Sequence, residues 1–350
     1  MNAPITPLTS PGSLFANIPG ILGFYPQSSL VLMAFATTDT ATRYELGPVM
    51  RVDLNELDEC ASETMQVITD GGYGLVLALV VTDDRAAAEN AALTLYRHDE
   101  GLIDACWTAH DLISGSTYEI LFGPAGAEEA GTHWATGSID AVHTSQTTAS
   151  LLNAGEVLAL DREEAFNRFA PGNPAFSPQD VATMTATARA DAQEAVNADT
   201  SDRLVAFVQD FDHFLATYDP RGACQMYADA DALARGATAM ASADLRDCVI
   251  GTALDHPVVA MALTKAVATT FTDPTIRSNA LCVYALAATA HGISPLASTA
   301  LRVSDHENPG HNLTALLAVA DCNGLLPQTV AVVRRGCDST RAEYGLSLAE

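Results

Sequence analysis

The sequence predicts an α+β protein: an α/β domain with a mixed, mostly buried sheet of four or slightly more strands near residues 10–145, then an all-helical domain of hairpins near 155–335. Three observations carry this. The continuous apolar runs Leu30–Phe35 and Leu75–Val81 have the composition of strands covered on both faces. Beyond Gln146 no strand pattern recurs, and helical patterns follow one another behind short breakers. A chain of 350 residues is also long for one hydrophobic core. Residues 1–9 and 336–350 read as tails.

Ser10-Pro11-Gly12-Ser13 reads as a helix start, with Ser10 or Ser13 as N-cap. Leu14, Ile18, Ile21 and Leu22 recur at helical spacing, and Pro19 inside the pattern predicts a short, bent or broken helix. Gly23 fits a left-handed C-cap, and Pro26 keeps the helix from continuing. After the strand Leu30–Phe35, about ten residues lead to a second strand, Val49–Leu54. That is too short for a helical crossover, so the two pair antiparallel. A helix over Glu56–Thr69 ends at Gly71-Gly72, and the strand Tyr73–Thr82 follows. Helices are expected over Arg85–Tyr96 and around Leu102–Leu112, then a strand over Ser116–Phe122. Residues 124–144 read as loop. The helices of the second half are expected over Glu163–Phe169, Pro178–Asn197, Ser201–Thr217, Ala223–Arg235, Ala243–Leu254, Val258–Thr270, Ile276–Ala290, Pro295–Val303, Gly310–Asn323 and Gln328–Arg335. Residues 276–327 resemble stacked helix pairs, but no 34-residue period recurs, and alanine-rich packing explains the pattern as well.

The charge is lopsided: 43 acids against 17 bases, a net of −26, with Lys265 the single lysine. Residues 1–150 carry −15 and residues 151–350 carry −11, so the acidity is spread along the chain. Such a field repels phosphate backbones and anionic lipid, which argues against nucleic-acid and membrane partners. Hydrophobic content of 48% with 17% charged residues belongs to a folded chain. Seven cysteines, none in a C-x-x-C pair, suit a reducing compartment. No signal peptide is visible in MNAPITPLTSPG, and the longest apolar stretch, Ala280–Ala288, falls short of the roughly 18 residues a span needs. A cytoplasmic location is expected.

Candidate sites each carry two readings. Ser28-Ser29 precedes a strand, but at its amino end, whereas ligands of open α/β sheets bind beyond carboxyl ends; with no G-x-S-x-G elbow, the pair reads as a structural turn. Gly71-Gly72-Tyr73-Gly74 and Gly123-Pro124-Ala125-Gly126 fit no nucleotide loop, and no cofactor is expected. Arg51 and Asp53 share a strand face, as the floor of a site or as a buried ion pair. Asp83 and Asp84 lie at the carboxyl end of the most buried strand, where a ligand would sit, though Asp84 also suits a helix cap. His133 and Trp134, with Asp140 and His143 nearby, lack regular metal-ligand spacing. Pro309 rules out a helical ligand pair of His306 and His311, so no metal site is expected. Arg246-Asp247 reads as an interhelical salt bridge or as a fastener between the two domains.

Taken in order, several stretches resemble an actinobacterial family known as domain of unknown function 4192. Its hallmark, of the type V-P-x-L-L-G-F-x-P-x-x-S-L-V-L, stands here as Ile18 to Leu32. Arg51-Val52-Asp53-Leu54 matches a second signature, and Ser145 to Gly155 followed by Arg162-Glu163-Glu164 a third. Arg246-Asp247 and Asn308-Pro309-Gly310-His311-Asn312-Leu313 resemble the closing ones, so the likeness covers roughly residues 10–330. Members often carry cysteines in the region of Gly131–Asp140; this chain has none, so no thiol or metal role carries over there. The resemblance implies a fold and assigns no activity. Two functions remain: a non-catalytic protein that binds a protein partner or itself, or a hydrolase or transferase with a site between the domains at Asp83, Asp84 and the 124–144 loop.

Overall fold

Residues 8–38, 43–98, 101–123, 132–197 and 201–346 are described by a computed structural model. The chain divides into two compact units, residues 1–165 and 166–350.

Unit 1 opens with helix α1 (Pro11–Leu22), whose N-terminus carries a reciprocal cap. The Ser13 amide donates to Ser10 Oγ at 3.2 Å and the Ser10 amide to Ser13 Oγ at 3.3 Å. Of the short, bent or broken helix that Pro19 predicts, α1 is the short form: it runs through the proline and ends one turn later, where the Gly23 amide donates to the Pro19 carbonyl at 2.8 Å. Strands β1 (Ser29–Thr37) and β2 (Tyr44–Asp53) form the expected antiparallel hairpin, which leads to helix α2 (Leu57–Gly71). Strand β3 (Leu75–Val81), helix α3 (Arg85–His98) and strand β4 (Ala105–Ala109) make a parallel crossover unit. Strand β5 (Thr117–Phe122), helix α4 (Thr132–Ala135) and strand β6 (Thr136–Ser138) complete a mixed sheet in the order β2-β1-β3-β4-β5-β6.

Two expectations are corrected here. Leu102–Leu112 holds β4, not a helix: all five residues Ala105-Cys106-Trp107-Thr108-Ala109 are buried, because the strand is covered on both faces and shows no alternation. The stretch 124–144 is more than loop, since 132–144 contains α4, β6 and a 3-10 turn at Val142–Thr144; residues 124–131 lie outside the described residues.

The sheet has a core on each face. On one, Phe15 of α1 meets Trp107 and Tyr118 edge-on, with centroids at 5.7 and 5.2 Å, among Val31, Met33 and Leu79. On the other, α2 and α3 cover Leu30, Leu32, Ala78 and Val80. Helix α5 (Gln146–Asn153), capped by Ser145, docks on α1. Asn17 Oδ1 accepts the Thr147 amide at 3.2 Å, and Thr147 Oγ1 donates to the Asn17 carbonyl at 2.7 Å. This approach requires Gly20, where a Cβ would fall 2.4 Å from the Thr148 nitrogen. The chain then returns beside the α1 C-cap. The Ala159 amide donates to the Gly23 carbonyl at 3.0 Å, and the Tyr25 amide to the Ala159 carbonyl at 3.2 Å, ahead of helix α6 (Arg162–Asn167).

Unit 2 is helical. Its elements are α7 (Pro178–Asn197), α8 (Asp202–Thr217), a 3-10 run (Pro220–Ala228), α9 (Ala230–Met240), α10 (Ala243–Asp255), α11 (Pro257–Thr270), α12 (Pro274–Ala290), α13 (Ser294–Glu307), α14 (Asn312–Cys322) and α15 (Leu326–Glu343). The helix expected over 223–235 is thus a 3-10 run and a separate α-helix, divided at Asp229, whose side chain caps α9. Helix α15 continues through 336–343, which read as tail, and buries Cys337 and Arg341. Fourteen of the 17 residues of α12 are buried, and α9, α10, α11, α13, α14 and α15 all pack on it. That central helix, and not a linear stack of repeats, organises the unit.

Gly23 ends α1 with φ of 81°. Gly23→Val is expected to cost about 1 kcal/mol or more, lowering the melting temperature by about 2–4 °C per kcal/mol. An unchanged melting temperature in differential scanning calorimetry would show that this turn does not need its glycine.

Candidate functional site

The described residues hold two clusters of interacting polar groups at positions that carry the sequence signatures, one in each unit. The first grows from the β1–β2 register, which sets Ser29 opposite Asp53 and Val31 opposite Arg51. The nearly buried Arg51 donates from Nε to Ser29 Oγ at 2.8 Å and from Nη1 to Asp53 Oδ2 at 2.8 Å, while Nη2 pairs with Oδ1. Arg162 donates from Nη1 to the same Oδ2 at 2.8 Å. Ser29 Oγ, fully buried, donates to the Gln27 carbonyl at 2.6 Å. Ser28 has φ of 43°, and its carbonyl accepts the Leu54 amide at 2.9 Å, fastening the turn to the end of β2.

The strand-end argument against Ser29 needs correcting. Because β1 runs antiparallel to β3, with Ser29 opposite Val81, the amino end of β1 lies at the carboxyl ends of β3 and β4. Ser29 is therefore at the end of the sheet where ligands bind. Burial and two committed hydrogen bonds remove it as a nucleophile. Asp83 and Asp84 share this end, but no hydrogen bond joins them to Arg51 or Asp53. Asp84 Oδ1 accepts the Ala86 and Ala87 amides at 2.8 and 3.2 Å as the cap of α3; Asp83 is exposed beside it. The Trp134 carbonyl accepts Trp107 Nε1–H at 2.8 Å, and its ring lies 6.1 Å from that of Trp107. The side chain of His133 lies outside the described residues.

The second cluster surrounds Asn279 of α12. Its Nδ2–H donates to the Met240 carbonyl at 2.8 Å, which leaves Oδ1 to accept Arg246 Nη1–H at 2.6 Å and His311 Nε2–H at 3.1 Å. The Arg246 and Asp247 side chains pair at 2.7 Å within α10, so the interhelical link from Arg246 is to an amide and not to a carboxylate. His311 Nδ1 lies 2.8 Å from Thr314 Oγ1 and 4.0 Å from Cys282 Sγ. Thr314 Oγ1 also meets Cys282 Sγ at 3.2 Å and Ser304 Oγ at 2.7 Å.

Cys282, His311 and Asn279 follow the order of a thiol-base-orienter triad. The chemistry does not. The Thr314 hydroxyl bonds both thiol and imidazole, and burial pushes the Cys282 thiol up to about 11 despite Thr314, Arg246 and Ser304 favouring the thiolate. Burial also holds His311 below its ordinary range, with the Arg246 charge adding to the effect. Both clusters are joined internally.

A family model described as Domain of unknown function (DUF4192) matches residues 11–328. The chain belongs to this family. The DUF4192 span contains both clusters, and the signatures read separately in the sequence meet in them: the Ile18–Leu32 segment, Arg51-Asp53 and Arg162 in one, Arg246-Asp247 and His311 in the other. No curated protein and no solved structure matches the chain. No group of three or more His, Cys, Asp or Glu side chains suited to a metal occurs among the described residues.

Sequence reading missed Asn279, Cys282, Ser304 and Thr314, which sit in alanine-rich helical patterns without a local mark. The Asn308–Leu313 signature was the available pointer to His311.

The thiol chemistry is directly testable. At neutral pH an aromatic disulfide reagent is expected to label the exposed Cys224 and Cys322 in the native protein, and Cys106, Cys248, Cys282 and Cys337 only after denaturation. Fast native labelling of Cys282, mapped by peptide mass spectrometry, would instead mark a working nucleophile.

Proposed function

We propose that this DUF4192 protein works by binding another protein, through the face formed by α14 and α15. The observation that carries this is α14 itself. Its sequence, NLTALLAVADC, has one charged residue, yet only Thr314 and Leu317 are buried. Apolar helices of this kind belong in a core, as α12 does. Leu316 and Val319 are 61% and 65% exposed, and Leu325 and Val332, across the turn, are 51% and 56% exposed. Asp321, the one acid of α14, accepts a hydrogen bond from Ser298 Oγ at 2.8 Å and is largely buried. The face is therefore apolar and carries no exposed carboxylate from α14, on a chain of net charge −26.

That charge selects the occupant. Two copies, each carrying −26, repel each other once their surfaces approach to within the Debye length of about 8 Å. The partner we propose is a different protein, presenting an apolar segment flanked by basic side chains. None of the seven cysteines forms a disulfide, which supports a reducing, cytoplasmic setting. No helix among the described residues is long and apolar enough to cross a membrane.

A photo-cross-linking residue at Val319 in the host cell is expected to trap one discrete protein, and the same residue at the exposed Glu63 of α2 to trap none. Leu316→Asp should abolish the adduct while shifting stability by no more than about 0.5 kcal/mol. An adduct with a second copy alone, the same adduct from Glu63, or an adduct that survives Leu316→Asp would overturn the reading.

A further inference from the structure

We infer that His311 is an acid-sensitive latch on α14: the neutral ring caps the helix, and protonation at Nδ1 releases it. The donors and acceptors around the ring leave one arrangement. His311 is the N-cap of α14, and its Nδ1 accepts the Thr314 amide at 3.3 Å. A backbone N–H can only donate, so Nδ1 holds a lone pair and the proton resides on Nε2. Nε2–H then donates to Asn279 Oδ1, the atom that also accepts from Arg246. A second ring proton, on Nδ1, would face both the Thr314 hydroxyl and the Thr314 amide. The Thr314 hydroxyl can turn to accept it; the Thr314 amide cannot. The new charge would also stand beside the Arg246 guanidinium, with both cations on one amide oxygen.

Each neighbouring element contributes a group that bears on this. From α10 come Arg246 and its partner Asp247; from α12, Asn279 and the Cys282 thiol; from α13, Ser304 through Thr314. No carboxylate contacts the ring among the described residues, so the imidazolium has no opposite charge against it. His311 is partly exposed, so protons reach it. Its pKa is lowered, first by burial and then by Arg246. The folded state thus binds fewer protons than the unfolded chain. Its stabilising contribution is present above the ordinary histidine value of about 6.5 and is lost as pH falls below it. Asp321, on the same helix, acts oppositely: burial raises its pKa, so its contribution grows as pH falls. The latch stands whether or not α14 docks a partner.

Hydrogen exchange at about pH 7.5 and about pH 5.5, corrected for intrinsic rates, tests the histidine against the opposite contribution of Asp321. Protection of the 312–322 amides relative to α11 is expected to fall roughly 3- to 10-fold on acidification, the ceiling being what a histidine of ordinary pKa about 6.5 in the opened state can contribute over these two pH units. His311→Asn keeps a capping oxygen and removes the titration, so its α14 protection should not respond. Equal wild-type protection at the two pH values, or an equal loss in His311→Asn, overturns the latch. Should His311→Asn fail to fold, proton NMR titration of the wild-type ring decides: a midpoint below about 6.5 shared with the α14 amide shifts supports it, and one at or above that value overturns it.

Discussion

The carboxylate of Asp53 is the constraint on which unit 1 depends. It receives Arg51 from its own strand and Arg162 from α6, 109 residues later in the chain. Arg51 in turn holds Ser29, which fixes the amino end of β1 where the α1 turn enters the sheet. Placing the Arg51 guanidinium in a nearly buried position is costly unless it is paired and hydrogen-bonded. The cost is offset only when the β1–β2 register, the turn after Gly23 and the returning 159–162 segment are all in place. A one-residue slip of β2 would turn Arg51 to the opposite face and leave it without Ser29. The polar cluster therefore specifies the arrangement of pieces that hydrophobic burial alone would tolerate in several registers.

Unit 2 solves the same problem with an amide, backbone carbonyls and arginine–carboxylate pairs. Alanine-rich helices pack closely but offer few side chains whose shape distinguishes one packing from another. Asn279 joins α9, α10 and the cap of α14 to the central helix through three hydrogen bonds. Arg277, also on α12, donates from Nη2 to the Phe169 carbonyl at 2.7 Å and to Glu307 Oε1 at 2.8 Å. Arg341 of α15 donates to the Cys248 carbonyl at 2.9 Å and to Asp212 at 2.8 Å. Arg277 thus ties α12 to its neighbours, and Arg341 ties α15 to α8 and α10. The polar groups of the two clusters are committed inside the units, and the proposed recognition rests on the apolar face of α14.

Much of this was legible in the sequence where one element reports on itself. The runs Leu30–Phe35 and Leu75–Val81, the glycine after α1 and the boundaries of α7 followed from local pattern. What failed depended on partners far along the chain. Ala105–Ala109 has too few residues to show a period, and its identity as a strand comes from pairing with β3 and β5. The direction of its own strand puts Ser29 at an amino end, whereas its position relative to the other strand ends depends on β1 running antiparallel to β3. Asn279 and Thr314 lie 35 residues apart in helices whose alanines set the visible pattern, and their meeting through His311 is a tertiary fact. The sequence places His311 in the Asn308–Leu313 signature and beside His306, but its partners are an amide, a hydroxyl and a backbone N–H brought in by the tertiary fold.

The central claim is that these clusters hold the fold and do not serve a ligand. Residues kept for a site are commonly a burden on stability, and removing them leaves the fold unchanged or more stable. Residues that hold a fold behave oppositely. The most direct test is the thermal unfolding of Asp53→Ala, which strands the Arg51 guanidinium. The account predicts a loss of about 2 kcal/mol or more, or about 4–8 °C in melting temperature for a unit of this size. A melting temperature equal to or above that of the wild type would contradict it and mark the Ser29–Arg51–Asp53–Arg162 cluster as a functional site.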